Sequence, residues 1–126
     1  MASGVIEEAV QRMDVTPVHL MAWLGPAIGP DTFEVGDEVR ACFLRADESV
    51  EDAFRMSPNG RWLADLYELA RRRLTKIGIE SVYGGGYCTF SESQRFFSYR
   101  RDGVTGRMAS VIWLDDAGAS TTRGQV

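Results

Sequence analysis

The spacing of hydrophobic and polar residues predicts three amphipathic helices. The first extends over Ser3–Met13, where apolar residues recur every three or four positions and charged residues occupy the other face. A change of period at Gly36 predicts a second helix over Asp37–Ala46, with two acidic residues in its first turn. The longest stripe predicts a helix over Arg61–Ile77, with Gly78 as the residue that follows its C-cap.

Short apolar runs predict strands between these helices. Val18–Leu24 is a buried run, Phe33–Val35 alternates as an edge strand does, and Ile79–Tyr83 follows the third helix. Phe96–Leu114 predicts a hairpin of two strands joined by a tight, charged turn. The acidic stretch over 48–56 is ambiguous. Together these elements predict an α+β fold in which mixed β-sheets pack with flanking helices.

Length and composition narrow the class of protein. A chain of 126 residues that is 44% hydrophobic is predicted to form one domain with a real core, here over 1–115, followed by a disordered tail over 116–126. The net charge of -4 argues against nucleic-acid binding, and no apolar run is long enough to span a membrane. The N-terminus lacks the features of a signal peptide, and Cys42 and Cys88 are too few for a disulfide framework, so a reduced cytoplasmic setting is expected.

Three arginines in the predicted hairpin are the strongest candidates for a binding site. Arg100, Arg101 and Arg107 crowd the two ends of one connection, where like charges repel unless an anion lies between them. Because adjacent strand residues point to opposite faces, one of Arg100 and Arg101 can act with Arg107 to clamp an anion. The alternative is a surface turn in which Asp102 neutralises part of the charge.

Other candidate residues offer weaker signals. Cys88 follows a run of three glycines and is a candidate reactive thiol, although no histidine lies near it in the sequence. Tyr99 adjoins the arginines and is a further candidate. His19 is the only histidine and is expected to be a structural residue on a strand, so no metal site is expected in this chain.

Two long blocks of the sequence resemble a known family. The C-terminal signature of the laccase-domain family is similar to residues 88–114, CTFSESQRFFSYRRDGVTGRMASVIWL, and its second conserved block is similar to residues 23–39, WLGPAIGPDTFEVGDEV. The family is also called multicopper polyphenol oxidase, purine nucleoside phosphorylase-like or peptidoglycan-editing factor. The resemblance implies packed mixed β-sheets flanked by helices, in proteins about twice as long as this chain.

The resemblance also implies a chemistry. It points to zinc enzymes that phosphorolyse adenosine, inosine or methylthioadenosine and deaminate adenosine, with copper-dependent oxidation of phenols as an alternative. Their metal ligands, two histidines and one cysteine, are implied to lie in the first half of the protein. One histidine belongs to a His-Ala-Gly-Trp-Arg-Gly motif that would end just before Ala2. The chain is therefore expected to be the C-terminal half of a member, without a cofactor of its own.

Several expectations about activity and partners follow from that resemblance. The chain alone is expected to be inactive, and a truncated, non-catalytic interaction domain is the remaining alternative. The expected partners are a purine nucleoside and phosphate in the intact enzyme, and either the missing N-terminal half or a second copy of the chain. Neither a nucleic acid nor a membrane is expected.

Overall fold

A computed structural model of the protein describes residues 1–115, and the predicted disordered tail over 116–126 lies outside the described residues. In the described range the helices are α1 (Val5–Arg12), α2 (Asp37–Ala46), α3 (Leu66–Lys76) and the one-turn α4 (Tyr99–Asp102). The strands are β1 (Met21–Leu24), β2 (Glu34–Val35), β3 (Phe54–Met56), β4 (Trp62–Ala64) and β5 (Ser81–Gly84). Short 3₁₀ helices cover Pro17–His19 and Glu48–Ala53.

The main core surrounds a three-stranded antiparallel sheet with the strand order β2-β4-β3. Ala64 on the central strand is completely buried, and the rings of Phe43 and Phe54 pack with their centroids 5.9 Å apart. Helices α2 and α3 bury their apolar faces against this sheet, which removes hydrocarbon surface from water and is the main stabilising contribution. The buried cluster consists of Val35, Phe43, Val50, Ala53, Phe54, Ala64 and Leu69.

A second, two-stranded sheet is formed by β1 and β5, which run parallel and pair from Met21 with Ser81 to Leu24 with Gly84. Gly84 has a φ of 81°, and a Cβ at this position would lie 2.5 Å from the carbonyl oxygen of Leu24. Only glycine therefore lets the two strands end so close together. Helix α1 packs on α3, where Arg73 forms a 2.9 Å ion pair with Glu7.

The predicted α+β class is confirmed, with parallel and antiparallel sheets and helices around them. Helix α2 begins and ends at the predicted residues, Asp37 and Ala46. The stretch predicted as an edge strand contains β2, which lies at the edge of its sheet, and Gly78 follows the end of α3 with a φ of 96°. Within the described residues, no helix combines the length and the apolar character needed to cross a membrane.

The predicted helix over Arg61–Ile77 is wrong in its first turn. Residues Trp62–Ala64 form β4 instead, because they pair with a strand on each side. Helix α3 starts only after Asp65, whose carboxylate accepts a hydrogen bond of 2.9 Å from the backbone N–H of Glu68. This N-cap separates strand from helix in a stretch whose apolar spacing is continuous.

The predicted hairpin over Phe96–Leu114 is also wrong, since this part of the chain contains α4 and no strand. Ser98 is buried and caps α4, its hydroxyl accepting a hydrogen bond of 3.3 Å from the N–H of Arg101. Val18–Leu24 is likewise divided, with exposed His19 in a 3₁₀ turn and only the later residues in β1.

Candidate functional site

Two adjoining clefts lie on either side of a wall formed by Phe97, Tyr99 and Met108. One cleft, of about 330 Å³, is also lined by Arg100 and by the loop Pro26–Ile28. The other, of about 520 Å³, is lined by residues 103–107, including Arg107. Because they share these residues, the two clefts adjoin around α4 and together form one candidate site.

The wall exposes two aromatic rings to solvent. Phe97 is 53% exposed and Tyr99 is 77% exposed, although Ser98 between them is buried as the cap of α4. An exposed aromatic surface beside a cleft offers a planar group a stacking partner and removes apolar area from water when it is covered. This environment suits a flat, partly apolar group.

The guanidinium of Arg101 is engaged by partners within the protein. It donates to the carbonyl oxygens of Thr89, Phe90 and Phe96 at 2.9, 3.0 and 2.9 Å. It also forms a 2.8 Å ion pair with Asp102, and this hydrogen-bonded partner lowers the pKa of the Asp102 carboxyl. The neutralising role that the sequence suggested for Asp102 is thus present for one arginine. Arg101 lines neither cleft.

Arg100 and Arg107, in contrast, lie one in each cleft. Arg100 donates to the carbonyl oxygen of Glu34 at 2.7 Å and lies over the ring of Phe33 at 5.4 Å. Arg107 is exposed and makes neither an ion pair nor a hydrogen bond with any residue in the range 1–115. The anion-binding role of the three arginines stays a prediction, and Arg107 has the guanidinium most available for it.

Cys88 precedes Thr89, which lines the first cleft, and its sulfur lies in a dense set of hydrogen bonds. Its Sγ accepts from the backbone N–H of Gly29 at 3.2 Å and from that of Ser91 at 3.4 Å. The hydroxyl oxygens of Thr32 and Ser91 lie 3.3 and 3.4 Å from the same sulfur. The backbone N–H of Cys88 in turn donates to the Glu92 carboxylate at 2.7 Å.

These contacts decide the protonation of the thiol. Burial acts to raise the pKa of Cys88, but hydrogen bonds from Ser91, Thr32 and Gly29 outweigh it and lower the pKa to about 6. Hydrogen bonds to the charged form favour that form, so Cys88 carries a thiolate at neutral pH. The sequence identified Cys88, but nothing in it placed Thr32 and Gly29 beside the sulfur.

Tyr67 fixes the loops that form the first cleft. Its ring is buried on α3, and its hydroxyl donates to the carbonyl oxygen of Tyr87 at 2.8 Å. The same oxygen accepts a hydrogen bond of 2.7 Å from the backbone N–H of Ala27. Tyr67 thereby joins the loop after β1 to the loop after β5. The sequence showed Tyr67 only as part of an apolar helix stripe.

The residues that the structure describes do not fit the zinc that the family resemblance implies. Within residues 1–115, no three histidine, cysteine, aspartate or glutamate side chains converge as a metal site requires. His19 is exposed on its 3₁₀ turn, and the Cys88 sulfur is surrounded by hydroxyl and backbone N–H groups. Within the described part of the chain, the candidate site therefore consists of the aromatic wall with Arg100 and Arg107 on either side of it.

Comparison with known proteins gives consistent matches over this region. The family model described as "Multi-copper polyphenol oxidoreductase laccase" matches residues 1–115. The chain is 51% identical over 114 residues to the purine nucleoside phosphorylase YfiH of Escherichia coli strain K12, covering 90% of this chain and 46% of that protein. It is 52% identical over 117 residues to the purine nucleoside phosphorylase PA4543 of Pseudomonas aeruginosa, covering 92% and 48%.

Solved structures agree in fold. The crystal structure of Neisseria meningitidis protein NMB0706 superposes with a TM-score of 0.86 at 52% identity, covering 90% of this chain and 47% of that one. YlmD from Geobacillus stearothermophilus gives a TM-score of 0.70 at 33% identity, covering 81% and 40%. The chain thus spans about half the length of the curated relatives that it matches.

Proposed function

This chain belongs to the multi-copper polyphenol oxidoreductase laccase family, and we propose that it is the C-terminal half of a purine nucleoside phosphorylase. In this proposal the chain binds the nucleoside and phosphate, and the rest of the whole protein completes the catalytic site. The relatives from Escherichia coli and Pseudomonas aeruginosa, which carry that activity in their names, support the reaction class.

The observation that carries the proposal is the arrangement of the two clefts. An exposed aromatic wall separates them, and each contains one arginine, Arg100 on one side and Arg107 on the other. A purine nucleoside presents a flat base that stacks on aromatic rings, and phosphate presents oxygens that match the paired donors of a guanidinium. One surface therefore offers a separate place for each of the two reactants.

Phosphorolysis needs these reactants to be held close together. An oxygen of hydrogen phosphate forms a bond to the anomeric carbon of the sugar while the bond from that carbon to the purine breaks, and the departing purine takes up the proton that the hydrogen phosphate loses. Arg107 neutralises the approaching phosphate, and Phe97 and Tyr99 hold the base in place. Orientation of two bound reactants of this kind can lower the activation free energy by about 7–11 kcal/mol. No step is assigned to a metal, because residues 1–115 bring together no ligand set for one.

The experiment compares the chain alone with a joined protein, in which the chain is fused to the part of the Escherichia coli relative that it does not cover. Release of hypoxanthine from inosine and of adenine from adenosine is measured with and without phosphate. We expect phosphate-dependent release from the joined protein and none from the chain alone. Full-length Escherichia coli YfiH serves as the positive control.

Other results would select other functions. A well-folded joined protein without phosphate-dependent release, while the control is active, would contradict the proposal and favour a non-catalytic domain. Conversion of adenosine to inosine would show that the joined protein also has the deaminase activity that the resemblance implies. Oxidation of a phenol would favour the copper-dependent alternative, for which the described residues offer no observation beyond the family's description.

A further inference from the structure

One face of the two-stranded sheet is apolar and uncovered. Met21 and Trp23 on β1 pair with Ser81 and Tyr83 on β5, so these four side chains project from the same face. Met21 is 54% exposed and Tyr83 is 58% exposed, while the alternate residues Ala22 and Val82, on the other face, are half-buried. The face is thus exposed although it carries large apolar side chains.

The geometry of this sheet points to missing neighbours. Strands β1 and β5 are parallel and pair with each other alone among the described residues, which leaves both outer edges open. Parallel sheets are found almost only with both faces covered, and an isolated pair of strands is at best marginally stable in water. Backbone groups at an open edge also template the addition of further strands.

A second apolar segment lies beside the same face. Ser110 and the ring of Trp23 both come within 3.4 Å of the position that a Cβ on Gly25 would take. The residues that follow Ser110 are exposed: Val111 at 73%, Trp113 at 75% and Leu114 at 81%. The sheet face and this segment therefore adjoin at Trp23, and together they form what we call the sheet-side surface.

From these observations we propose that the sheet-side surface is the docking site for the remaining half of the same protein, which covers the Met21–Trp23–Tyr83 face and adds strands to the open sheet. The inference rests on the proposed function, in which the chain is half of a larger enzyme. The relatives at 51 and 52% identity contain about as much chain again as the part that this chain matches, so chain of the right length exists to cover this surface. A second copy of the chain is the competing occupant, and the test separates the two.

The test introduces a charge at an exposed apolar position and measures Tm in two contexts. Tyr83→Glu and, separately, Met21→Glu are made in the chain alone and in the joined protein defined above. We expect little change in the chain alone, where both positions are exposed, and a fall of roughly 5 °C or more in the joined protein, where the charge would be buried. Met56→Glu is the matched control, because Met56 is 61% exposed but lies on β3 of the other sheet.

Hydrogen exchange provides a second measurement on the unsubstituted proteins. Backbone amides of β1 and β5 are expected to exchange at least tenfold more slowly in the joined protein than in the chain alone, with β3 unchanged. Equal effects of Tyr83→Glu on Tm in both contexts would overturn the proposal. So would a chain that is dimeric by itself and becomes monomeric with Tyr83→Glu, or a joined protein that does not unfold cooperatively. If the Tm contrast holds but phosphorolysis is absent, the proposed function fails and the docking inference stands.

Discussion

The backbone N–H of Gly29 donates to the Sγ of Cys88 at 3.2 Å, across 59 residues of sequence. Gly29 is buried, and a Cβ at its position would lie 3.1 Å from the Cβ of Cys88 and 3.2 Å from the sulfur. The loop after β1 and the loop after β5 thus meet at a thiol, and the neighbouring residues Ile28 and Thr89 line the cleft that contains Arg100. The close approach depends on the absence of a side chain at residue 29.

Gly29→Ala is expected to push Cys88 away from the loop and to weaken the hydrogen bond to its sulfur. The loss of that contact and the strain of a tight fit should lower the free energy of unfolding by about 1–3 kcal/mol. Gly86→Ala is the matched control, since a Cβ on Gly86 would meet nothing within 4 Å. Urea denaturation of both variants checks the difference, and equal losses would show that the Gly29 contact is not tight.

The pH dependence of stability should report the Cys88 thiolate. Hydrogen bonds lower its pKa in the folded protein from the ordinary 9.0 to about 6, and the unfolded chain lacks them. Because the folded value is depressed, the stabilisation is fully present above the unfolded pKa and is lost as the pH falls through about 6. The free energy of unfolding of the natural chain should therefore increase as the pH rises from about 6 to 9.0.

The Cys88→Ala variant supplies the comparison for this measurement. The difference in unfolding free energy between the natural chain and Cys88→Ala should grow as the pH rises through that window, because only the natural chain gains a thiolate. Alkylation by iodoacetamide in a Cys42→Ala background, which leaves Cys88 as the only thiol, should show a rate midpoint near pH 6. A difference that is flat with pH would rule out a depressed pKa.

Removal of one hydroxyl should loosen the first cleft. Tyr67→Phe leaves the N–H of Ala27 and the carbonyl oxygen of Tyr87 without their shared partner. Unpaired, partly buried backbone groups of this kind cost about 1–3 kcal/mol. Tyr83→Phe is the control, since the Tyr83 ring is 58% exposed. Thermal unfolding should show a clear loss for Tyr67→Phe only, and similar melting temperatures would contradict the role assigned to its hydroxyl.

Local patterns in the sequence predicted the elements whose boundaries are set locally. Helix α2 was predicted close to its observed bounds, because acidic residues start it and the apolar period changes at Gly36. The prediction failed where distant pairing or long-range contacts decide the structure. Trp62–Ala64 continues the apolar stripe of α3, yet two neighbouring strands hold it as β4, and only the Asp65 cap marks the boundary.

The same distinction applies to the candidate site. The sequence singled out Arg100, Arg101, Arg107, Tyr99 and Cys88 as candidates, since arginines, aromatics and thiols are conspicuous residue types. It could not sort the three arginines, because the roles of Arg101 depend on carbonyl groups up to 12 residues away. The partners of the Cys88 sulfur in the loop after β1 are more than 50 residues distant, and no local pattern connects them.

The arginines allow a paired prediction on the joined protein. Arg107→Ala should leave Tm nearly unchanged, because within residues 1–115 its guanidinium makes no ion pair or hydrogen bond. If Arg107 binds phosphate, its loss removes a charge-assisted contact of about 1.5–3 kcal/mol, so the phosphate concentration for half-maximal phosphorolysis should rise roughly ten- to a hundredfold.

Arg101→Ala is expected to behave in the opposite way. Its guanidinium donates to three backbone carbonyl groups and pairs with Asp102, so truncation leaves those carbonyls without donors and should cost about 1–3 kcal/mol of stability. The phosphate requirement of the protein that remains folded should change little, because Arg101 lines neither cleft. Measuring Tm and phosphate dependence on both variants decides between the two roles. A lower Tm for Arg107→Ala with unchanged phosphate dependence would assign Arg107 to the turn and end its role in anion binding.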